Sequence, residues 1–320
     1  MRPSIARILS LGPLLVLLAA VASCNLGDKV GIRVALTPEQ IRLEKINTID
    51  STTLRTVLNP DSTEGWEQIS NLSADAWMLI DDSTGYVISQ KYANEPRFMA
   101  SLTKMMTCLL SLENGNLTDT VQITDDVFIC RDSRVRLGEA YLLGDLLYEM
   151  MLQSDNDAAY AVAKHIAGDT LTFCDMMNEK AAYLGMSCTH FANPNGMPAP
   201  DNYSSANDLV RLARYAMRDS IFAEIVGTTD KKVPLIDGRH MDCRNTNVLL
   251  SSYEGCFGVK TGYTRQAGNC LASAATRDGT TLYLVILHSR SMRSRFTESA
   301  ILLDYGFRVM RDYYDITRKN

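Results

Sequence analysis

Strand-like runs lie near both ends of this chain and helical spacing dominates between them, and that distribution limits the fold more than any other feature. Residues 77–81 and 86–90 form two short runs joined through Asp82-Ser83-Thr84-Gly85, a hairpin with ordinary turn chemistry. Strand character returns at 255–263, 269–276 and 281–288, with Arg277-Asp278-Gly279 as the turn between the last two. From about residue 101 to 225 the spacing is helical; Leu142, Leu143, Leu146, Leu147, Met150 and Met151, for instance, share one face. A last helix is predicted over 293–305. Strands at both ends and helices between them imply one antiparallel sheet assembled from the two chain ends, with the helical section inserted as a second lobe.

A chain of 320 residues that is 46% hydrophobic and 22% charged can bury such a core, and the same figures exclude a disordered, collagen-like or polytopic membrane protein. The 32 Lys and Arg against 37 Asp and Glu give a net charge of −5. No block of five or more basic residues occurs, so the electrostatic footprint of a nucleic-acid binder is missing.

The N-terminus reads as an address. Arg2 and Arg7 precede an apolar run over 8–22, broken only by Ser10, Gly12 and Pro13, as in an export signal. Val21-Ala22-Ser23-Cys24 is similar to a bacterial lipobox, in which cleavage precedes a Cys that then carries lipid. An uncleaved anchor helix is the rival reading, and the run is short for a span of about 20 apolar residues. On the lipobox reading, 1–23 is a signal peptide and lipidated Cys24 opens a polar tether over 24–72; two or more acyl chains make a stable membrane anchor. A domain over 73–312 and a tail over 313–320 follow.

The eight cysteines, at 24, 108, 130, 174, 188, 243, 256 and 270, form no Cys-x-x-Cys, and the four histidines are far from ligand spacing. No metal site and no specific disulfide is predicted.

Three short motifs carry the chemistry. Ser101-Leu102-Thr103-Lys104 opens an apolar helical run over 105–112, and residues three apart on a helix share a face, so Lys104 can reach the Ser101 hydroxyl. To act as a base that lysine must be partly deprotonated, which burial and a neighbouring cation, Lys260, promote. Ser-x-x-Lys alone is weak, being common by chance and equally a helix cap. Ser154-Asp155-Asn156 lies between two apolar helical stretches, and Lys260-Thr261-Gly262 lies on the strand 257–263. Ser205-Ala206-Asn207 shows how cheap a Ser-x-Asn is; it reads as the cap of a helix over 208–217. The bland readings of Ser154 and Lys260 are likewise a cap and a solvated charge.

All three motifs in this order resemble the set shared by penicillin-binding proteins and class A β-lactamases. From about Ala74 to Phe307 the chain resembles the low-molecular-mass penicillin-binding proteins that are D-alanyl-D-alanine carboxypeptidases. Ala93-Asn94-Glu95-Pro96-Arg97, Ser111-Leu112-Glu113-Asn114-Gly115, Asn178-Glu179-Lys180-Ala181, Asn193-Pro194-Asn195-Gly196 and Leu303-Asp304-Tyr305-Gly306-Phe307 are further landmarks. The resemblance implies an α/β (α+β) fold of the β-lactamase/transpeptidase type, a five-stranded antiparallel sheet flanked by helices with an inserted all-helical lobe.

It also implies roles. Ser101 attacks the carbonyl of the penultimate D-Ala of a peptidoglycan stem peptide, and water hydrolyses the acyl-enzyme. Lys104 is the base, Ser154 relays a proton to the leaving amine, Asn156 holds the peptide and Lys104, and Lys260 supplies positive potential. The oxyanion faces the backbone N–H groups of Ser101 and of Tyr263, which follows Gly262. Thr261 binds the terminal carboxylate with support from Arg295. No cofactor is implied; β-lactams are expected as covalent inhibitors, and the membrane as a partner through the lipid.

Class A β-lactamases add a glutamate that activates the deacylating water between the second and third motifs. None is recognised over 157–259, and Glu149 lies before Ser154, in the wrong place. A D,D-endopeptidase that cleaves wall cross-links shares every motif, and a non-catalytic wall-binding or β-lactam-sensing module would keep the fold while losing a catalytic residue. Many carboxypeptidases continue into a further β-domain and an amphipathic C-terminal helix, whereas this sequence stops 13 residues after Phe307.

Overall fold

A computed structural model describes residues 69–130 and 133–317. Along the chain come β1 (Ala76–Asp81), β2 (Val87–Lys91), a 3₁₀ turn (Ala100–Thr103) running into α1 (Lys104–Asn114), β3 (Thr120–Gln122) and β4 (Ala140–Leu142). Then follow α2 (Leu143–Tyr148), a π-helical turn (Glu149–Gln153), α3 (Asn156–Ala167), α4 (Thr170–Tyr183), α5 (Ala206–Ala216) and α6 (Ser220–Gly227). The chain ends with β5 (Asp230–Pro234), β6 (His240–Arg244), α7 (Leu249–Ser252), β7 (Cys256–Thr264), β8 (Gly268–Arg277), β9 (Thr280–Ser289) and α8 (Met292–Thr317).

Both chain ends build one five-stranded sheet in the order β2-β1-β9-β8-β7, with every pairing antiparallel. Its central strands are apolar on both faces because both faces are covered. Met78, Ile80, Val285 and Leu287 join the core shared with the helical lobe, while Trp77, Leu79, Leu284 and Ile286 pack with Leu302, Leu303 and Val309 of α8. Asp278 (φ 49°) and Gly279 (φ 77°) close β8 onto β9 as a two-residue loop, the left-handed pair that a tight hairpin demands. At the first hairpin, Asp81 Oδ2 accepts from Thr84 N at 2.9 Å and Thr84 Oγ1 at 2.6 Å, which fixes the turn.

Several elements differ from the sequence expectation. The helical section holds a small hairpin, β3–β4, and a second one, β5–β6, follows it; in β5 and β6 only Val233 and Cys243 are buried, so no alternation of apolar residues marks them. Leu142 closes β4 rather than sharing a helical face with Leu143, and Met150 and Met151 sit in the π-helical turn. The last helix is much longer than 293–305 and takes in the stretch from 313 through Thr317, because Val309 and Met310 continue its buried face. Among the described residues no helix is long and apolar enough to cross a membrane. Cys24, the signal 1–23 and the tether up to residue 68 lie outside the described residues. The seven described cysteines are free thiols.

Candidate active site

The 3₁₀ turn before α1, the junction of the π-helical turn with α3, and strand β7 converge beside the sheet. Ala100 has φ 49°, a left-handed conformation that non-glycine residues rarely adopt, and it turns the chain into the helix just ahead of Ser101. Two glycines allow the close approach this needs. A Cβ on Gly196 (φ 87°) would run into the Ala100 carbonyl oxygen. One on Gly262 would lie 3.1 Å from each of Ala100 Cβ, Met99 O and Ser101 N. Without it, β7 presses directly against the turn, so the Ser101 amide lies beside the strand that continues into Tyr263, whose side chain is exposed.

Lys104, in the first turn of α1, is fully buried. Its Nζ lies 3.0 Å from Ser101 Oγ, 2.8 Å from Asn156 Oδ1 and 2.7 Å from the Asn195 carbonyl oxygen. Burial lowers its pKa from 10.5 to about 7, against the opposing pull of Asp155 and Cys130. A neutral amine has two N–H bonds and one lone pair. Asn156 Oδ1 and Asn195 O are acceptors only, so they take the two N–H bonds and leave the lone pair for the Ser101 hydroxyl.

The second motif stands where two elements meet. Ser154, half-buried, is left-handed (φ 65°) at the end of the π-helical turn. Asp155 caps α3, accepting from Ala158 N at 3.0 Å, and also holds Ser133 Oγ at 2.5 Å, Arg134 N at 2.6 Å and Val135 N at 3.3 Å. Asn156 then begins α3 with its amide turned to Lys104. The Ser154 hydroxyl makes no hydrogen bond to Ser101, Lys104 or Lys260 among the described residues, and the cap expected as its rival role belongs to Asp155. Ser205 does cap α5, accepting from Asp208 N at 3.1 Å.

Lys260 is 1% exposed, which removes its reading as a solvated charge, and its Nζ donates to Thr261 O at 3.1 Å. Burial foremost, then Lys104 and Arg295, hold its pKa well below the usual value. Lys260 is not among the causes that lower Lys104, whose shift comes from burial. Arg295 is also buried; its Nη1 donates to the Gly262 carbonyl at 3.1 Å and its guanidinium lies 4.7 Å from the Phe296 ring centroid. It thus braces β7 from α8.

Sequence reasoning passed over two contributors. The Asn193-Pro194-Asn195-Gly196 stretch, in the sequence only a landmark of the resemblance, supplies a backbone oxygen to Lys104, and Thr107 Oγ1 pins it through Pro194 O at 2.6 Å. Thr246 lies 2.6 Å, Oγ1 to Oγ1, from Thr261, and its N–H donates to Leu152 O at 3.1 Å. It follows β6 and joins the π-helical turn to the third motif, a link that nothing local in the sequence signals.

The D-alanyl-D-alanine carboxypeptidase family model matches residues 63–291. The D-alanyl-D-alanine carboxypeptidase of Streptomyces sp. strain K15 is 36% identical over 255 residues, covering 74% of this chain and 88% of that relative. DacF of Bacillus subtilis, also a D-alanyl-D-alanine carboxypeptidase, is 32% identical over 249 residues; the match spans 73% of this chain and 62% of the Bacillus protein. Among solved structures, the Streptomyces K15 DD-transpeptidase aligns with a TM-score of 0.71 at 32% identity, over 74% of this chain and 98% of that one. A family match over most of the chain, together with a relative 36% identical over 74% of it, establishes that this chain belongs to the D-alanyl-D-alanine carboxypeptidase family.

Proposed function

We propose that this chain is a serine-type D-alanyl-D-alanine carboxypeptidase acting on peptidoglycan stem peptides through an acyl-enzyme on Ser101. The observation that carries it is the buried Lys104 amine, lowered to about 7 and 3.0 Å from Ser101 Oγ with its N–H bonds engaged elsewhere. Ser101 Oγ attacks the carbonyl of the penultimate D-Ala while its proton passes to Lys104. Negative charge gathers on the carbonyl oxygen, opposite the N–H groups of Ser101 and Tyr263. The tetrahedral adduct expels the terminal D-Ala, whose amine takes a proton through Ser154. Water then adds to the acyl carbon, and Ser101 leaves with its proton restored. Asn156 orients Lys104; Lys260 adds positive potential, and Thr261 holds the terminal carboxylate with support from Arg295, which donates to the neighbouring Gly262 carbonyl. Attack on a β-lactam carbonyl follows the same course and leaves a long-lived adduct.

The likeness to a DD-transpeptidase favours one further reading, in which an amine instead of water takes the acyl group. Mass spectrometry of the full chain with N-acyl-Lys-D-Ala-D-Ala, with and without a glycine acceptor, and with an isolated cross-linked wall dimer, separates these outcomes. Release of D-Ala with a hydrolysed product, abolished in Ser101→Ala, supports the carboxypeptidase. Acceptor-linked product would make it a transpeptidase, dimer cleavage alone an endopeptidase, and silence on all three a binding module.

The N-terminal signal and Val21-Ala22-Ser23-Cys24 support an exported chain lipidated on Cys24 and held at the extracytoplasmic membrane face. Metabolic labelling with a fatty-acid analogue, lost in Cys24→Ser, is the expected result; equal labelling of both would overturn it.

A further inference from the structure

Glu149 is a fully buried carboxylate that the reaction does not use. It opens the π-helical turn that ends at Ser154, in an environment built from four other elements. Its Oε2 accepts the Cys243 thiol of β6 at 2.5 Å, and its Oε1 lies 3.8 Å from Arg134 Nε with no hydrogen-bond partner. Asp155 at the head of α3 and Tyr141 of β4 also face it. Arg134 is itself held on both sides, donating from Nη2 to Asp242 O at 2.7 Å and from its backbone N to Asp155 Oδ2 at 2.6 Å. The same short segment therefore touches the first residue of the turn and the middle residue of the second motif.

A buried carboxylate costs stability relative to an apolar side chain of similar size. Burial raises this one to about 7. What it supplies in return is geometric. Five residues in π geometry followed by a left-handed Ser154 are an uncommon path. The far end of that path is fixed by Leu152 O and by the four bonds of Asp155. Its near end has the Glu149 carboxylate.

We propose that Glu149 is a positioning residue: by accepting the Cys243 thiol proton and facing Arg134, it holds the π-helical turn in the register that delivers Asn156 to Lys104. This rests on the proposed acylation by Ser101 and Lys104. Its effect falls more on the chemical step than on substrate affinity, because Asn156 bonds Lys104 directly at 2.8 Å, whereas Thr261 meets the turn only at its far end, through Thr246 and Leu152 O.

The test uses the full chain, with active sites counted by fluorescent penicillin and D-Ala release followed per counted site. Glu149→Ala should lower kcat about tenfold with KM within about twofold. Glu149→Gln, whose amide oxygen still accepts the thiol proton, should stay within about threefold at pH 8. That small deficit should vanish at pH 6, where the wild-type carboxyl is protonated. Cys243→Ala should lower kcat and Cys243→Ser, which keeps a donor, should restore it. Should Glu149→Ala fail to fold, the pH-dependent Gln ratio and the Cys243 pair decide the matter alone. An unchanged kcat in Glu149→Ala and Cys243→Ala, or a Gln variant as impaired as Ala at both pH values, would overturn the proposal. If the wild-type chain released no D-Ala, the carboxypeptidase reading would fail, while the penicillin acylation rates of the variants would still report on Glu149.

Discussion

Lowering the pH through 7 should switch off acylation of Ser101, because it protonates Lys104. The buried amine titrates near 7 instead of 10.5. About half of the folded molecules are therefore neutral there at pH 7, against roughly one in three thousand for an ordinary lysine. That difference corresponds to about 5 kcal/mol between the charged and neutral forms. The second-order acylation rate with a chromogenic β-lactam should fall about tenfold per pH step below 7. Stability carries the same signature. The folded value lies below the unfolded one, so between about 7 and 10.5 the unfolded chain holds a proton that the folded chain has shed, and stability rises with pH across that window. Lys104→Met should therefore raise the melting temperature most at pH 6 and progressively less toward pH 10, whatever the constant contribution of its lost hydrogen bonds. A β-lactam acylation rate that is flat from pH 8 to pH 5, or a Met advantage independent of pH, would refute the reasoning.

Other changes probe the geometry directly. Gly262→Ala places a methyl 3.1 Å from Ser101 N and should push the serine turn off β7, lowering kcat/KM about a hundredfold in the D-Ala release assay while the chain still folds. Gly196→Ala meets both a left-handed backbone and the Ala100 carbonyl; a loss of about 3 kcal/mol or more in urea denaturation is expected. Thr246→Val strips Thr261 of its hydroxyl partner and should raise KM for a carboxylate-ended peptide about fivefold, with Thr246→Ser restoring it. A KM that ignores Thr246 would sever that residue from substrate binding.

What was legible in the sequence is what local periodicity and spacing encode. The strands β1 and β9 advertise themselves because both faces are buried, and the three-residue step from Ser101 to Lys104 predicts a meeting that the helix then makes. The Asp278-Gly279 loop is equally local. Nothing local, by contrast, marks the Asn195 carbonyl, since a backbone acceptor has no side-chain signature. The partnership of Thr246 with Thr261 depends on a loop folding back on a strand fifteen residues on. In the sequence Glu149 is only a glutamate in the wrong place for a β-lactamase, because its burial is a property of the packed lobe. The hairpin β5–β6 stayed hidden for the opposite reason: most of its residues face solvent, so its strands lack the pattern that marks a core.

The seven free thiols among the described residues carry a consequence for how this protein must be handled. Burial raises the pKa of Cys130, Cys174 and Cys270 to about 11, and pushes Cys108, Cys243 and Cys256 up as well. Thiols kept protonated are poor nucleophiles, so these six react slowly with oxidants and disulfides in the native state. Every one of those thiols becomes ordinary once the chain opens. Oxidising conditions are then less hazardous after folding than before it, when sulfurs that pair with no other described cysteine in the native state can pair at random. The protection of these sulfurs is therefore a property of the packed native state, supplied by burial and not by pairing.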